Sequence, residues 1–147
     1  MLIQRLGKGD RDQAQALFTL MAGVFETETA PLSVSYLNGL LQEERFWALA
    51  ALNKGRLVGG LTAHTLPLTR VAEHELFVYD IAVLPEYQRQ GVGRRLVDEL
   101  LALARGVGIR EVFGLADNED AHALDFYRAL GGHAAPVTMF GFAPEHL

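Results

Sequence analysis

Residues 75–105 decide the fold of this chain and read ELFVYDIAV (75–83), LPEYQRQGVG (84–93) and RRLVDELLALAR (94–105). The first part, Leu76 to Val83, is rich in β-branched and aromatic residues, which favours a strand. Pro85 ends this strand because it has no backbone N–H to donate to a neighbour. From Val92 onward, apolar residues recur at helical spacing. The stretch therefore predicts a strand, a short loop and a long helix.

The loop between this strand and this helix has the composition of an anion-binding site. Gly91 and Gly93 lie where the helix begins, and a helix start presents unpaired N–H groups and the positive end of the helix dipole. Arg89, Arg94 and Arg95 add positive charge. These features predict a phosphate or pyrophosphate cradle. The structural alternative is a strand–helix turn that uses glycine for tight packing.

Two common phosphate motifs do not fit this loop. A P-loop needs Lys and then Ser or Thr after its last glycine, whereas Arg94 and Arg95 follow Gly93. A dinucleotide fingerprint needs a third glycine where Leu96 stands. The pattern that does fit is Gln/Arg-x-x-Gly-x-Gly, which is present as Gln88-Arg89-Gln90-Gly91-Val92-Gly93.

This last pattern resembles the acetyl-CoA pyrophosphate loop of the GNAT superfamily of N-acetyltransferases. A second GNAT signature follows in the right order and at the usual separation, as Asn118, Ala123, Phe126-Tyr127 and Leu130-Gly131. The resemblance covers essentially the whole chain. It implies one GNAT domain over residues 1–147, with an α/β fold whose mixed central sheet splays between the fourth and fifth strands and is flanked by helices.

Hydrophobic periodicity along the chain predicts the order β-α-α-β-β-β-α-β-α-β, which suits one mixed α/β domain. The predicted strands span residues 2–6, 46–52, 56–65, 75–83, 109–115 and 137–142. Asp10 and Ser33 are predicted to cap the first two helices, and Asn118 or Asp117 the last. The pair Gly59-Gly60 indicates a bulge or a close backbone neighbour inside the third strand.

Composition narrows the class of function. The 147 residues are 50% hydrophobic, carry a net charge of −5 and include no cysteine. An acidic surface argues against a nucleic-acid partner and suits a cationic substrate, although it also serves solubility. The absence of cysteine excludes thiolate metal sites, and the histidines have no i, i+4 pair, so we expect no metal. We find no signal peptide or membrane span, and expect a cytoplasmic protein without a membrane partner.

The GNAT resemblance also implies a binding site for the co-substrate acetyl-CoA. In this family CoA lies between the strands that correspond to residues 75–83 and 109–115, and its pantetheine arm hydrogen-bonds to the first strand. A bulge in that strand typically frees an N–H that polarises the thioester carbonyl. The cofactor residues implied are Ile81, Ala82, Val83, Gln88, Arg89, Gln90, Gly91, Val92, Gly93, Arg94, Asn118, Ala123 and Phe126.

Asp80 and Tyr127 are the candidate catalytic residues. Asp80 stands inside an apolar strand, where a carboxylate is costly unless it is paired or functional. It either forms an ion pair with an arginine, faces solvent, or binds and deprotonates an acceptor amine. Tyr127 corresponds to the family's proton donor to the CoA thiolate, and its structural alternative is an amphipathic core tyrosine.

The sequence of the strand that contains Asp80 narrows the resemblance to one group of GNAT enzymes. Residues 79–83, Tyr-Asp-Ile-Ala-Val, look like the Tyr-Asp-Leu-Ala-Val segment of the aminoglycoside 3-N-acetyltransferases, the gentamicin-resistance enzymes. In that family the strand aspartate contacts the acceptor amine. Residues 36–41, 46–51 and 58–63 also match, whereas the segment between the first two helices is short and residues 118–122 are closer to the general GNAT pattern. The substrate-binding residues expected are Glu26, Glu28, Tyr79 and Asp117, with a solvated loop as the alternative for the two glutamates.

Three functions are consistent with these residues. The first is acetyl transfer to an aminoglycoside, a small cationic amine and an antibiotic-resistance substrate. The second is acetyl transfer to another amine, such as a polyamine, an amino acid or a peptide. The third is a non-catalytic acyl-CoA-binding module. Neither Ser33 nor Ser35 lies in a nucleophile elbow, so we expect direct transfer in a ternary complex. A homodimer through residues 137–142 is also possible.

Overall fold

A computed structural model describes residues 1–146, and their contacts divide the chain into two compact units. The first unit spans Met1–Leu115 and the second begins at Ala116. The first unit contains β1 (Leu2–Arg5), α1 (Arg11–Val24), α2 (Val34–Gln42), β2 (Phe46–Asn53), β3 (Arg56–Pro67), β4 (His74–Val83), α3 (Val92–Gly106) and β5 (Ile109–Gly114). A 3-10 turn, Pro85–Tyr87, links β4 to α3. The second unit contains α4 (Ala121–Ala129) and a 3-10 turn, Pro144–His146.

The five strands form one mixed sheet in the order β1-β2-β3-β4-β5. The first four strands pair in antiparallel fashion, and β4 pairs with β5 in parallel. A parallel pair needs a long crossover connection, which α3 provides. The predicted mixed α/β sheet flanked by helices is confirmed. Lys54 and Gly55, both with positive φ, form the hairpin turn between β2 and β3.

Two apolar cores lie on opposite faces of this sheet. On one face α3 contributes Val92, Leu96, Leu100 and Ala104. On the other face α1 and α2 contribute Ala14, Leu17, Met21, Leu37 and Leu41. Residues 46–51 of β2 are therefore all buried, since helices cover both faces of this central strand.

Gly59 and Gly60 are needed for close packing, as the sequence indicates. A Cβ at Gly59 would stand 2.6 Å from the carbonyl oxygen of Ala82, and one at Gly60 would stand 2.5 Å from that of Leu49 and would clash with Leu17. The β2–β3 register also shifts beside Gly59, between Ala51 and Leu52. The two glycines thus allow α1 and the neighbouring strands to approach β3.

Two predictions for the second unit are wrong. Residues 137–142 form no strand, because the described chain gives them no neighbouring strand to pair with and alternation alone does not stabilise an extended segment. The cap of α4 is Asp120, whose Oδ1 accepts a hydrogen bond from the Ala123 N–H at 3.0 Å, rather than Asn118 or Asp117. Within residues 1–146, no helix is long and apolar enough to cross a bilayer.

In the first unit one predicted cap is confirmed and one is only partly so. Ser33 Oγ accepts a hydrogen bond from the Tyr36 N–H at 3.1 Å, as a helix cap does. Asp10 stands at the N-cap position of α1, but its carboxylate accepts from the Gly7 N–H at 2.9 Å, on the preceding turn. The Asp10 side chain therefore stabilises the turn that leads into α1 instead of the helix itself.

Candidate active site

The pairing between β4 and β5 ends halfway along β4. The last register pair is Val78 with Gly114, and beyond it β4 continues to Val83 paired with β3 alone. Along residues 79–83 of the described chain, the edge of β4 on the β5 side is therefore open. An open edge presents backbone N–H and C=O groups to which an extended ligand can bond like an added strand.

A bulge at Tyr79 lies where this open edge begins. Ala63 pairs with Val78 and Thr62 with Asp80, so Tyr79 is an extra residue on β4. One extra residue reverses the alternation of side chains between the two faces. Val78 accordingly packs in the α3 core, whereas Ala82, four residues later, packs in the α1/α2 core.

The bulge decides which face of the sheet carries Asp80. In a regular strand Asp80 would share the α3 face with Val78 and would be buried among leucines and valines. With the bulge it lies opposite Thr62, on the face that carries Ala82. The bulge that the GNAT resemblance implies is thus present, and it also removes the carboxylate from the α3 core.

The Asp80 carboxylate is half-buried. No hydrogen bond or ion pair to it is found among residues 1–145, and this argues against the structural ion pair with an arginine. Burial raises the pKa of Asp80 above its ordinary value of 3.8. An unpaired, partly desolvated carboxylate is suited to binding a cation and to accepting a proton.

The loop after β4 is held in shape by its own glutamines. Gln88 Nε2 donates to the carbonyl oxygen of Val83 at 3.0 Å, and Gln90 Nε2 donates to that of Glu86 at 3.0 Å. Arg89 adopts a positive φ of 61°. These bonds show that the two glutamines shape the loop, while Arg89 is exposed to solvent.

Gly91 is the N-cap of α3 and leaves the helix start open. Its φ is +84°, no side chain caps the helix, and a Cβ there would meet nothing within 4 Å. The first helical bond runs from the Arg95 N–H to the Gly91 carbonyl at 3.0 Å, so the amides of Val92 and Gly93 precede it. This geometry is that of a helix N-terminus accessible to an anion.

Several predicted cofactor residues have side chains directed into the cores, which leaves only their backbones for a ligand. Val92 and Ala82 are buried, and Ile81 and Val83 pack against the α3 core. Arg94, in contrast, is exposed at the first turn of α3. The structure thus brings residues 79–83 and the 88–94 loop together at one end of β4.

The second unit contains five of the predicted site residues. Its helix α4 has no buried residue, and the rings of Phe126 and Tyr127 meet edge to face with centroids 5.3 Å apart. Asp117 Oδ1 accepts a hydrogen bond from the Glu119 N–H at 2.8 Å, which forms the turn before α4. Asn118 lies in this turn, and Ala123 donates its N–H to the cap.

Glu26 and Glu28 lie in the exposed loop between α1 and α2. Glu26 has a φ of +55°, and the loop is tied to α1 by a 3.0 Å hydrogen bond from the Leu32 N–H to Gln15 Oε1. Both glutamates are exposed to solvent. Their carboxylates are accessible to solvent, and no side-chain hydrogen bond holds them in position in the described chain.

Sequence reasoning missed a row of rings beside Asp80, which we call the aromatic wall and define as Phe46, His64, Phe77 and Tyr79. His64 lies 5.4 Å from Phe46 and 6.0 Å from Tyr79, and Phe77 lies 5.6 Å from Tyr79 between ring centroids. These residues come from three strands, so only the strand register, which no local pattern contains, brings them together. In the described part of the chain, no group of three or more His, Asp or Glu side chains is arranged to hold a metal ion.

The chain matches the family described as "Acetyltransferase (GNAT) family" over residues 13–131. It is a GNAT N-acetyltransferase. This confirms the resemblance to the GNAT superfamily, the fold class and the enzyme class. Enzymes of this family use acetyl-CoA, so acetyl-CoA is the co-substrate. The open β4 edge and the uncapped α3 start fit a pantetheine arm and a pyrophosphate, which supports the same co-substrate from the geometry.

Two curated relatives are named as N-acetyltransferases. Over 126 residues, or 86% of this chain and 76% of the relative, the GNAT enzyme is 36% identical to N-alpha-acetyltransferase RimI of Mycobacterium tuberculosis. It is also 28% identical to the [Ribosomal protein bS18]-alanine N-acetyltransferase of Escherichia coli, over 65% of this chain and 61% of that protein.

A solved structure is similar over almost the whole chain. It is the aminoglycoside acetyltransferase meta-AAC0020 from an uncultured soil metagenomic sample, crystallised with sisomicin. Its TM-score is 0.93 and its identity is 31%, and the match covers 97% of this chain and 95% of that one. The relatives thus agree on acetyl transfer to an amine and differ in the acceptor.

Proposed function

We propose that this GNAT enzyme transfers the acetyl group of acetyl-CoA directly to a primary amine of an aminoglycoside, at the 3-amino position, as antibiotic-resistance enzymes do. The observation that carries this proposal is the unpaired Asp80 carboxylate at the β4 bulge, within the segment that resembles the 3-N-acetyltransferases. The full-length likeness to an aminoglycoside acetyltransferase supports the same acceptor class.

The residues that would hold acetyl-CoA form two groups. The backbone of Ile81, Ala82 and Val83 would bond to the pantetheine arm along the open β4 edge. The 88–94 loop would hold the pyrophosphate through the Val92 and Gly93 amides and the positive charge of Arg89 and Arg94. By family resemblance alone, Asn118, Ala123 and Phe126 are also proposed to bind acetyl-CoA. The thioester supplies the activated acetyl group.

Asp80 and Tyr127 would perform the two proton transfers. Asp80 attracts the protonated acceptor amine and takes a proton from it, directly or through a water molecule, because a neutral nitrogen is needed to attack the thioester carbon. The new bond joins that nitrogen to the acetyl carbon as the carbon–sulfur bond breaks, and the second proton that the nitrogen must lose passes to solvent, as does the proton taken up by Asp80. Tyr127 then gives its phenolic proton to the departing thiolate and is reprotonated from solvent.

Four further residues are proposed to bind the cationic acceptor. Glu26 and Glu28 would attract its distal amines from the exposed loop, and Asp117 would do so from the turn before α4. Tyr79 would contact the acceptor beside Asp80, since 63% of its surface is exposed. Carboxylates attract ammonium groups over several ångströms, and they do so less strongly at high salt.

The second candidate acceptor is the N-terminal amine of a protein. The observation that favours it is the 36% identity to a RimI enzyme over 86% of the chain. A polyamine or free amino acid belongs to the same broader class of acceptors. A non-catalytic acyl-CoA-binding module is the third hypothesis, which turnover of any of these amines would exclude.

A homodimer is proposed from the exposed apolar side chains between residues 137 and 142. Val137, Met139, Phe140 and Phe142 are each 73–78% exposed, which is more apolar surface than a short segment usually presents to water. Burial against a second copy would remove it from water. Light scattering coupled to size-exclusion chromatography should give twice the mass of one chain, and Phe140→Ser with Phe142→Ser should return it to the single mass.

The experiment that tests the function measures CoA release by the purified protein. Gentamicin, kanamycin, spermidine and a peptide with an N-terminal alanine are compared in parallel as acceptors. Turnover with the aminoglycosides alone, and a product acetylated on the 3-amino group by NMR, would support the proposal. Turnover with the peptide alone would show that the acceptor is an N-terminal amine of a protein and not an aminoglycoside. The proposed roles of Asp80 and Tyr127 would then still stand. Acetyl-CoA binding without turnover of any amine would favour the binding module.

A further inference from the structure

The aromatic wall places a tyrosine ring of fixed orientation next to Asp80. Tyr79 meets His64 at an interplanar angle of 78° and Phe77 at 79°, so two rings contact it edge to face. His64 is itself packed on Phe46, and Phe77 stacks on Phe113 with centroids 5.1 Å apart. Contacts on two sides restrict the rotation of the Tyr79 ring about its bond to Cβ.

Tyr79 is nevertheless well exposed to water, at 63% of its surface. It is the extra residue of the β4 bulge, which explains why it stands outside the regular ladder. An exposed aromatic ring that is already held by its neighbours loses little conformational entropy when a ligand covers it. An exposed ring of fixed orientation is suited to contact with a ligand. Packing of the core does not require Tyr79 to be both exposed and held by its neighbours.

We propose that Tyr79, held by His64 and Phe77, is the stacking surface of an acceptor subsite that binds the ring of a cyclic amine with its ammonium group directed to Asp80. This inference rests on the proposed role of Asp80 as the group that receives the amine. His64 and Phe77 are positioning residues, since they act through Tyr79.

The chemistry of Tyr79 and Asp80 favours a cyclic amine as the ligand. The face of a tyrosine ring attracts C–H groups that bear partial positive charge and attracts cations more strongly. Asp80 follows Tyr79 in the chain and has no partner within residues 1–146. A ring that carries an amine can cover the tyrosine and reach the carboxylate at once, whereas a flexible linear amine would lose more entropy for the same two contacts.

The absence of polar partners for His64 agrees with a packing role. Its ring contacts within the described chain are with Phe46 and Tyr79, and no hydrogen bond to its imidazole is found there. If its part is to hold Tyr79 by ring contact, another flat ring should replace it. A phenylalanine is the conservative substitution that keeps this contact and removes both nitrogens.

The test compares steady-state kinetics of the full-length protein and five variants with sisomicin as the acceptor. Tyr79→Leu, which removes the ring, should raise the acceptor KM about two- to fivefold, and Tyr79→Phe should raise it less. His64→Ala should raise it to a similar or smaller extent, and His64→Phe should restore it. Neither KM for acetyl-CoA nor kcat should change as much. Tyr36→Leu is the matched control, because Tyr36 is 57% exposed on α2 and makes no ring contact in the described chain.

The outcomes separate this inference from the proposed function. An acceptor KM that is unchanged in Tyr79→Leu, in a protein that acetylates sisomicin, would overturn the subsite and leave the function standing. The subsite would also be overturned if His64→Phe were as impaired as His64→Ala, since a nitrogen would then be required. If the unmodified protein acetylated only linear amines or a peptide, both proposals would fail together. A raised acceptor KM with ring-dependent rescue would support the subsite.

Discussion

The region from β4 to α3 and the region after Ala116 use their residues in different ways. Around the β4 end, the predicted cofactor residues Ile81, Ala82, Val83 and Val92 direct their side chains into the apolar cores and leave only their backbones for a ligand. After Ala116 no helical residue is buried, and four large apolar side chains face water. The structure of the first region follows from burial of the apolar side chains in its own hydrophobic pattern. The second region buries no helical side chain, so its local pattern determines less of its structure. Substitutions in each region test this difference.

The largest effect is expected from Gly91→Val, which should abolish acetyl-CoA binding. A valine at the N-cap would cover the Val92 and Gly93 amides at the proposed pyrophosphate site. Its φ of +84° also strains any branched residue, at about 1–2 kcal/mol of folding free energy. Isothermal titration with acetyl-CoA measures the loss of binding.

The matched control for Gly91→Val is Gly55→Val in the β2–β3 hairpin. Gly55 has a φ of +78°, and a Cβ there would also meet nothing within 4 Å, so the backbone strain is the same. Gly55→Val should lower the melting temperature to a similar extent and keep acetyl-CoA affinity. Equal affinities in the two variants would show that the cradle lies elsewhere.

Asp80→Asn should reduce turnover by about 10²–10⁴-fold while acetyl-CoA affinity is kept. The amide keeps the shape of the side chain, but it neither attracts an ammonium group nor accepts its proton. Initial rates at saturating acetyl-CoA measure the effect, and Asp98→Asn on the exposed side of α3 serves as the control. Turnover within a few-fold of the unmodified protein would remove Asp80 from the chemistry.

How far the sequence predicts this site depends on which interactions form it. The strand, loop and helix of residues 75–106 follow from local periodicity and glycine placement, and the structure confirms each of them. The Tyr79 bulge is expected only from the GNAT resemblance, because it depends on the register between β3 and β4. The aromatic wall depends on the same register across three strands, and so no pattern within a single strand predicts it.

The failures in the second unit have a related cause. An alternating apolar segment such as 137–142 is extended only where another strand accepts its hydrogen bonds, and the sequence does not say whether one is present. Residue type favours Asn118 or Asp117 as the α4 cap, although Asp120 also fits the cap rule. Where several cap residues stand within three positions, propensity alone does not choose between them.

Tyr127→Phe tests the second region and should slow transfer by about 10²-fold or less, the lower range for a general acid. The ring contact with Phe126 survives this change. The rate should be compared with an acyl donor whose thiol is more acidic, because a better leaving group needs less protonation. A variant that is equally slow with both donors would argue against proton donation by Tyr127.

The smallest effect concerns stability and separates Asp80 from an ordinary surface carboxylate. Burial raises the Asp80 pKa in the folded state above 3.8, so between the two pKa values the folded protein binds more protons than the unfolded one. The Asp80 contribution therefore destabilises the fold as pH rises through that window, and the cost persists at neutral pH.

Asp80→Asn should accordingly melt at a slightly higher temperature than the unmodified protein at pH 7, and the difference should shrink as pH falls towards 3.8. Thermal unfolding of Asp80→Asn and of the unmodified protein over this pH range measures it. If Asp80→Asn loses turnover and gains stability at neutral pH, the Asp80 carboxylate destabilises the fold and is needed for the chemistry. A purely structural role for Asp80 does not explain this combination.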